Sequence, residues 1–201
     1  MKKGTIIALS VIGGIILIII LLTGWVTGMY NSLVRLDETV NQSWAQVQNQ
    51  YQRRVDLIPN LVEVVKGYAA HEKEVFEKVA EARASVGKIQ ITPEILNNPQ
   101  AFQQFQKAQS GLSGALSRLL AVAENYPQLK ANENFLQLQA QLEGTENRIA
   151  VERKRFNEVV QSYNTKIRTF PTAIFAGMFG FAQKQYFQAE AGADIVPKVK
   201  F

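Results

Sequence analysis

Residues 53 to 72 read RRVDLIPNLVEVVKGYAAHE, and they gather the side chains with which this chain could do chemistry. Two arginines, an aspartate and a His-Glu couple fall within a few helical turns, enough to suggest a base, a ligand or an ionic clamp. His71 is the sole histidine, and the second histidine that a zinc-protease helix needs four residues on is missing. A lone histidine beside a glutamate on a helix is a surface pair before it is a ligand. No GxSxG elbow, Walker loop or GxGxxG turn occurs, and Gly177-Met-Phe-Gly180 lacks both the lysine and the strand context. Glu143, Glu146 and Glu152 share a helical stretch with Arg148, Arg153 and Arg155, and Arg148 and Glu152 are spaced for a modest ion pair. A di-iron bundle would need two Glu-x-x-His pairs, which one histidine cannot supply. The lack of cysteine removes disulfides, zinc-thiolate sites and thiol nucleophiles. No enzyme, no metal site and no cofactor is therefore expected.

The elements that would have to position these residues begin with a membrane segment. No charge occurs from Gly4 to Val34. The apolar core from Ile6 to Leu22 approaches the ~20 residues that a bilayer requires. Thr23 to Tyr30 extends it, with Trp25 and Tyr30 where interfacial aromatics sit. A cleaved signal peptide would have a shorter apolar stretch of ~7–15 residues and a small-residue cleavage site, and Leu21 to Trp25 offers a poor one. Residues 1–30 are thus expected to be a retained transmembrane anchor that meets the lipid bilayer through residues 4–30. Lys2 and Lys3 precede it and Arg35, Asp37 and Glu38 follow it. The positive-inside rule then puts the N-terminus in the cytoplasm and the rest of the chain outside the membrane. Gly24 and Gly28 have the spacing that lets two membrane helices approach closely, although glycine is also common in such helices without that role.

Twenty-two Lys and Arg against 17 Asp and Glu give a net charge of +5, of which Lys2 and Lys3 supply two. Acids and bases alternate without a concentrated basic face, so no nucleic-acid partner is expected. From Val40 the apolar positions step by three and four through Trp44, Val47, Tyr51, Val55, Ile58, Val62, Val65 and Ala69, then on to Phe76 and Val79. Pro93, Asn97, Asn98 and Pro99 interrupt the pattern. A second stripe runs Phe102, Phe105, Gln109, Leu112, Leu116, Leu119, Ala123 and Tyr126 up to Pro127. A third runs Phe135, Leu138, Leu142, Thr145, Ile149, Glu152, Phe156, Val159, Tyr163, Ile167 and Phe170. Short links make neighbouring helices antiparallel. The fold class expected is all-α: a single transmembrane helix and then, over residues 31–169, an antiparallel up-and-down bundle of three to four long helices.

Pro59 lies within the first stripe without resetting its phase. Either it kinks one helix by removing a backbone bond to Val55, or two helices meet there with Asp56 near the start of the second. Arg53, Arg54 and Asp56 flank this point as candidate hinge or interaction residues, with helix shaping and local ion pairing the plainer role. Residues 170–201 form a short apolar and aromatic C-terminal segment, FPTAIFAGMFGF from Phe170 to Phe181 and then AQKQYF to Phe187. Phe170, Phe175, Phe179 and Phe181 are its candidate interaction residues. The segment either turns back to plug one end of the core, or presents a docking or interfacial surface. It is too short to cross a bilayer.

In its order of elements the chain resembles the LemA family of bacterial membrane-anchored proteins. The resemblance rests on YNSLVRLDETVNQSWAQV (30–47), RRVDLIPNLVEVVKGYAAHE (53–72), the run from Leu116 to Asn164 and FPTAIFAGMFGF (170–181). It implies a single-span anchor with a helical domain of the four-helix-bundle type. It implies no catalytic residue set, and the link of related proteins with envelope and intracellular-membrane organisation implies a non-catalytic role. The expectation is a membrane-anchored scaffold acting through homo-oligomers or another envelope protein. The alternative is an extracytoplasmic sensory or adaptor module coupled to a membrane partner at the Pro59 bend.

Overall fold

The computed structural model describes residues 3–188. Lys2, which contributes to the expected orientation, and residues 189–201, the end of the predicted C-terminal segment, lie outside the described residues. Helix α1 (Lys3–Tyr68) is continuous; at 1.5 Å per residue it is roughly 100 Å long. Every side chain from Leu9 to Leu22 is exposed. This part of α1 is long and apolar enough to cross a membrane. The helix passes residue 30 without interruption and enters the bundle as one of its struts.

Pro59 lies inside α1 and on its exposed side, so the carbonyl it leaves without an amide partner can meet water. Of the two alternatives at this point, one helix runs through Pro59 and no second helix begins there. The chain does break within residues 31–90, but at Ala69–Glu72, where Ala69 N donates to Val65 O (2.9 Å) and Glu72 N to Ala69 O (3.0 Å). The stripe that ran from Ala69 on to Phe76 and Val79 crossed this turn unseen, because Val65, Ala69 and Val79 all pack into the same cluster. The α1 stripe holds at Trp44, Val47, Tyr51, Ile58, Val65 and Ala69 and differs at two positions, where Arg54 and Leu61 take the places expected of Val55 and Val62. Val55 and Val62 are only partly buried.

Helix α2 (Lys73–Gly87) follows the turn. A 3-10 turn at Pro93–Asn97 buries Ile95 and Leu96. Helix α3 (Pro99–Ala123) has proline at its first position, and Asn98 Oδ1 accepts from Gln100 N and Ala101 N, both at 3.1 Å. The short α4 (Pro127–Lys130) leads to α5 (Glu133–Arg168), capped by Asn132 Oδ1 on Phe135 N at 3.0 Å. The packing is mainly of α1 against α5 and α2 against α3. The directions follow from the core clusters. Trp44 and Tyr51 of α1 share one cluster with Phe102 of α3 and Phe156 of α5, whereas Ile58 and Val65 share the other with Leu116 and Phe135. Position therefore rises along α1 and α3 together and falls along α5: an antiparallel up-and-down bundle on a single membrane-capable helix.

After α5 the chain makes a cis Phe170-Pro171 bond and forms α6 (Thr172–Met178). Gly180, at φ +79°, supplies the left-handed residue that turns the chain out of α6. Residues 181–188 then run extended back along the bundle, away from the candidate span. The C-terminal segment thus does two things: Phe187 enters the aromatic core of Trp44, Phe102, Phe105 and Phe156, while α6 turns apolar side chains outward. Phe170, expected at the end of the third stripe, is a correction. It lies beyond α5 and is 78% exposed.

Candidate functional site

Between the two apolar clusters lies a polar layer centred on Arg54, whose side chain is 2% exposed. Its Nη1 donates to Ser113 Oγ (2.9 Å) and to Glu146 Oε1 (3.0 Å), and its Nη2 donates to Gln109 Oε1. The guanidinium also stands over the Tyr51 ring, 5.1 Å from its centroid. Three helices thus contribute: α1 the arginine, α3 Gln109 and Ser113, α5 Glu146. Among the described residues, Arg54 Nε and Gln109 Nε2 are enclosed without an acceptor. The layer forms the floor of an open cleft of about 630 Å³, walled by Gln103, Gln106, Lys107 and Arg153. Three cations therefore face one carboxylate, a setting that favours acidic or acceptor-rich groups over cations.

The other residues of the 53–72 stretch do not join this cluster. Arg53 is exposed, Asp56 is exposed and accepts from Gln52 Nε2 at 2.7 Å, and His71 sits exposed in the turn after α1. Glu152 pairs with Arg155 Nη1 at 2.8 Å rather than with Arg148. Among the described residues no group of three or more His, Cys, Asp or Glu side chains is placed to hold a metal ion. The partners of Arg54 escaped the sequence reading, yet Gln109 and Thr145 stood as polar residues inside apolar stripes. That was the available signal for a polar layer.

A second set of polar contacts, also missed, holds the extended segment. Asn164 Nδ2 donates to Lys184 O and its Oδ1 accepts from Lys184 N, both at 2.9 Å. Asn157 makes the same pair of bonds with Phe187 O and N, again at 2.9 Å. Seven residues of helix advance ~10.5 Å and three residues of extended chain ~10 Å, so both asparagines reach their targets without distortion. Lys184 Nζ is buried, 2.9 Å from Asp37 Oδ1 and 5.6 Å from the Tyr163 ring centroid. Burial, and then the Asp37 carboxylate, push the Tyr163 phenol well above its ordinary value.

At the end of the apolar part of α1 an aromatic collar forms. Phe175 meets Trp25 edge-to-face at 6.0 Å between centroids, and Phe179 meets Tyr30 at 5.1 Å. Phe181 lies 5.9 Å from Tyr30, and Phe175 and Phe179 stack at 6.3 Å. Three of the four predicted aromatic residues are thus brought together, and Phe170 is left outside. Gly24 and Gly28 are exposed, and a side chain at either would meet nothing within 4 Å.

A family model described as the LemA family matches residues 43–201. Magnetosome protein MamQ 2 of Paramagnetospirillum magneticum is 26% identical over 181 residues, 82% of this chain and 66% of that protein. Magnetosome protein MamQ of Magnetospirillum gryphiswaldense is 27% identical over 189 residues, 85% of this chain and 70% of that protein. Protein LemA of Metamycoplasma hominis is 25% identical over 162 residues, 81% of this chain and 70% of that protein. The match with the first of these relatives thus spans 66% of its length.

Proposed function

The chain belongs to the LemA family, and from that premise we propose that it is a non-catalytic, membrane-anchored helical scaffold of the bacterial envelope that acts by self-association. The observation that carries this reading is the continuity of α1. One helix serves as candidate span and as core strut, so the bundle stands on the membrane without a flexible joint between them. In this orientation the N-terminus is cytoplasmic and the bundle extracytoplasmic, in keeping with the lysines at the start and Asp37 and Glu38 beyond the span. The cleft above Arg54 supplies a polar, cation-rich surface for contact with exposed carboxylates of a second copy. The open faces of Gly24 and Gly28 supply a contact between spans.

A second reading, a sensory or adaptor module, draws support from the same cleft. A ligand there would touch Arg54, little more than one helical turn before Pro59. Sizing of the full chain in mild detergent tests the scaffold reading. A discrete species larger than one copy is expected, and Lys107→Glu with Arg153→Glu should shrink it. A single copy that retains a stoichiometric envelope partner would favour the adaptor instead.

A further inference from the structure

We infer that the outer face of α6 lies in the membrane interface, so that the bundle touches lipid directly as a second contact beside the span. The inference rests on the reading of α1 as a span. Its first support is depth. Phe175 packs on Trp25, and Phe179 and Phe181 pack on Tyr30. Along α1 these two residues stand ~4.5 and ~12 Å beyond Leu22, whereas the headgroup layer occupies roughly the first 5–8 Å past the hydrocarbon. Phe175, in the middle of α6, is therefore held at headgroup level, and Phe179, just past the helix, a few ångströms beyond it.

The second support is the face itself. Ile174 and Met178, four apart on α6, are 57 and 76% exposed, and Phe170 just before the helix is 78% exposed, while Thr172 and Ala176 on the opposite side of α6 are buried against the bundle. No charged residue occurs from Thr169 to Gln183, and the exposed Lys166 and Arg168 close α5 just before the collar. An apolar stripe rimmed by cations at headgroup depth matches a lipid surface with anionic headgroups. Phe175 and Phe179 join this segment to Trp25 and Tyr30 at the end of the exposed apolar part of α1, and that junction is what commits the patch to lipid rather than to a protein partner.

The chain has no cysteine, so single labels can be placed without ambiguity. An environment-sensitive fluorophore would be attached at Met178→Cys, and at Ile174→Cys as a second site, in the full chain reconstituted in phosphatidylcholine–phosphatidylglycerol vesicles. Ile16→Cys and Glu77→Cys serve as references for span and solvent. The expected result is quenching at 174 and 178 by lipid carrying its quencher near the headgroup, more than by lipid quenched at the acyl end. The Ile16 site should show the reverse order, and Glu77 should respond to aqueous iodide alone. Iodide quenching at 174 and 178 equal to that at Glu77, with Ile16 still lipid-quenched, would overturn the collar while leaving the span intact. Protection of 174 and 178 from both iodide and lipid quenchers would also overturn it, in favour of a protein cover. If Ile16 is itself open to iodide, the span fails and the collar falls with it.

Discussion

Arg54 and its neighbour Arg53 show how much one helical position decides. Arg53 faces water, whereas Arg54 is enclosed by Gln109, Ser113 and Glu146. Arg54→Ala removes a buried guanidinium and strands its partners. Because Glu146 is 40% exposed and can turn to water, the expected loss is about 2–3 kcal/mol rather than the larger cost of a wholly enclosed pair. Arg53→Ala should stay within about 0.5 kcal/mol, and paired denaturant titrations check both. The two arginines were visible in the sequence, but not which one turned inward. A charged residue is not expected at a core position, so periodicity runs the stripe through Val55 and Val62 and passes over Arg54 and Leu61. Tyr163 carries a pH prediction. Its phenol is held well above the ordinary 10.0, so the fold disfavours its ionisation. Its contribution to stability is intact below pH 10 and declines as pH rises through the higher folded value. Phenolate absorbance should show one of the six tyrosines ionising last, together with the loss of helical signal, and Tyr163→Phe should remove that late step.

At the scale of elements, helices were legible and their joints less so. The steps of three and four located the three main stripes, and Asn98-Pro99 and Tyr126-Pro127 marked true interruptions. The turn at Ala69–Glu72 carries no proline, and the apolar positions on its two sides happen to stay in phase. The extended segment 181–188 was legible only as aromatic, because its binding depends on two asparagines whose partners are backbone atoms and leave no trace in side-chain pattern. Asn164→Ala deletes two hydrogen bonds to Lys184 and exposes its buried amide and carbonyl to imperfect solvation. A cost of about 1–3 kcal/mol is expected, confined to the release of this segment. Amide exchange should speed up at Lys184 and Phe187 while the middle of α3 keeps its protection. Uniform acceleration throughout the bundle would mean that the segment is an inseparable part of the core.

The whole molecule is a helical bundle carried on a helix that is apolar and exposed along its first part, with a polar layer dividing its core. The bundle and its apolar helix follow from composition and periodicity, since a charge-free run from Gly4 to Val34 and repeated three-four spacing leave few other architectures, whereas the polar layer does not. The surfaces that would meet partners were not legible, because they arise where distant segments converge: Arg54 with Gln109 and Glu146, and Trp25 with Phe175. A scaffold must assemble, and its assembly must reside in the bundle if the cleft is the docking surface. The decisive measurement is the mass, by light scattering, of the full-length protein in mild detergent beside that of the 31–201 fragment in buffer. A discrete multiple of one copy is predicted for the full chain, with at least part of that association kept by the fragment. Single copies in both would contradict self-association as the function.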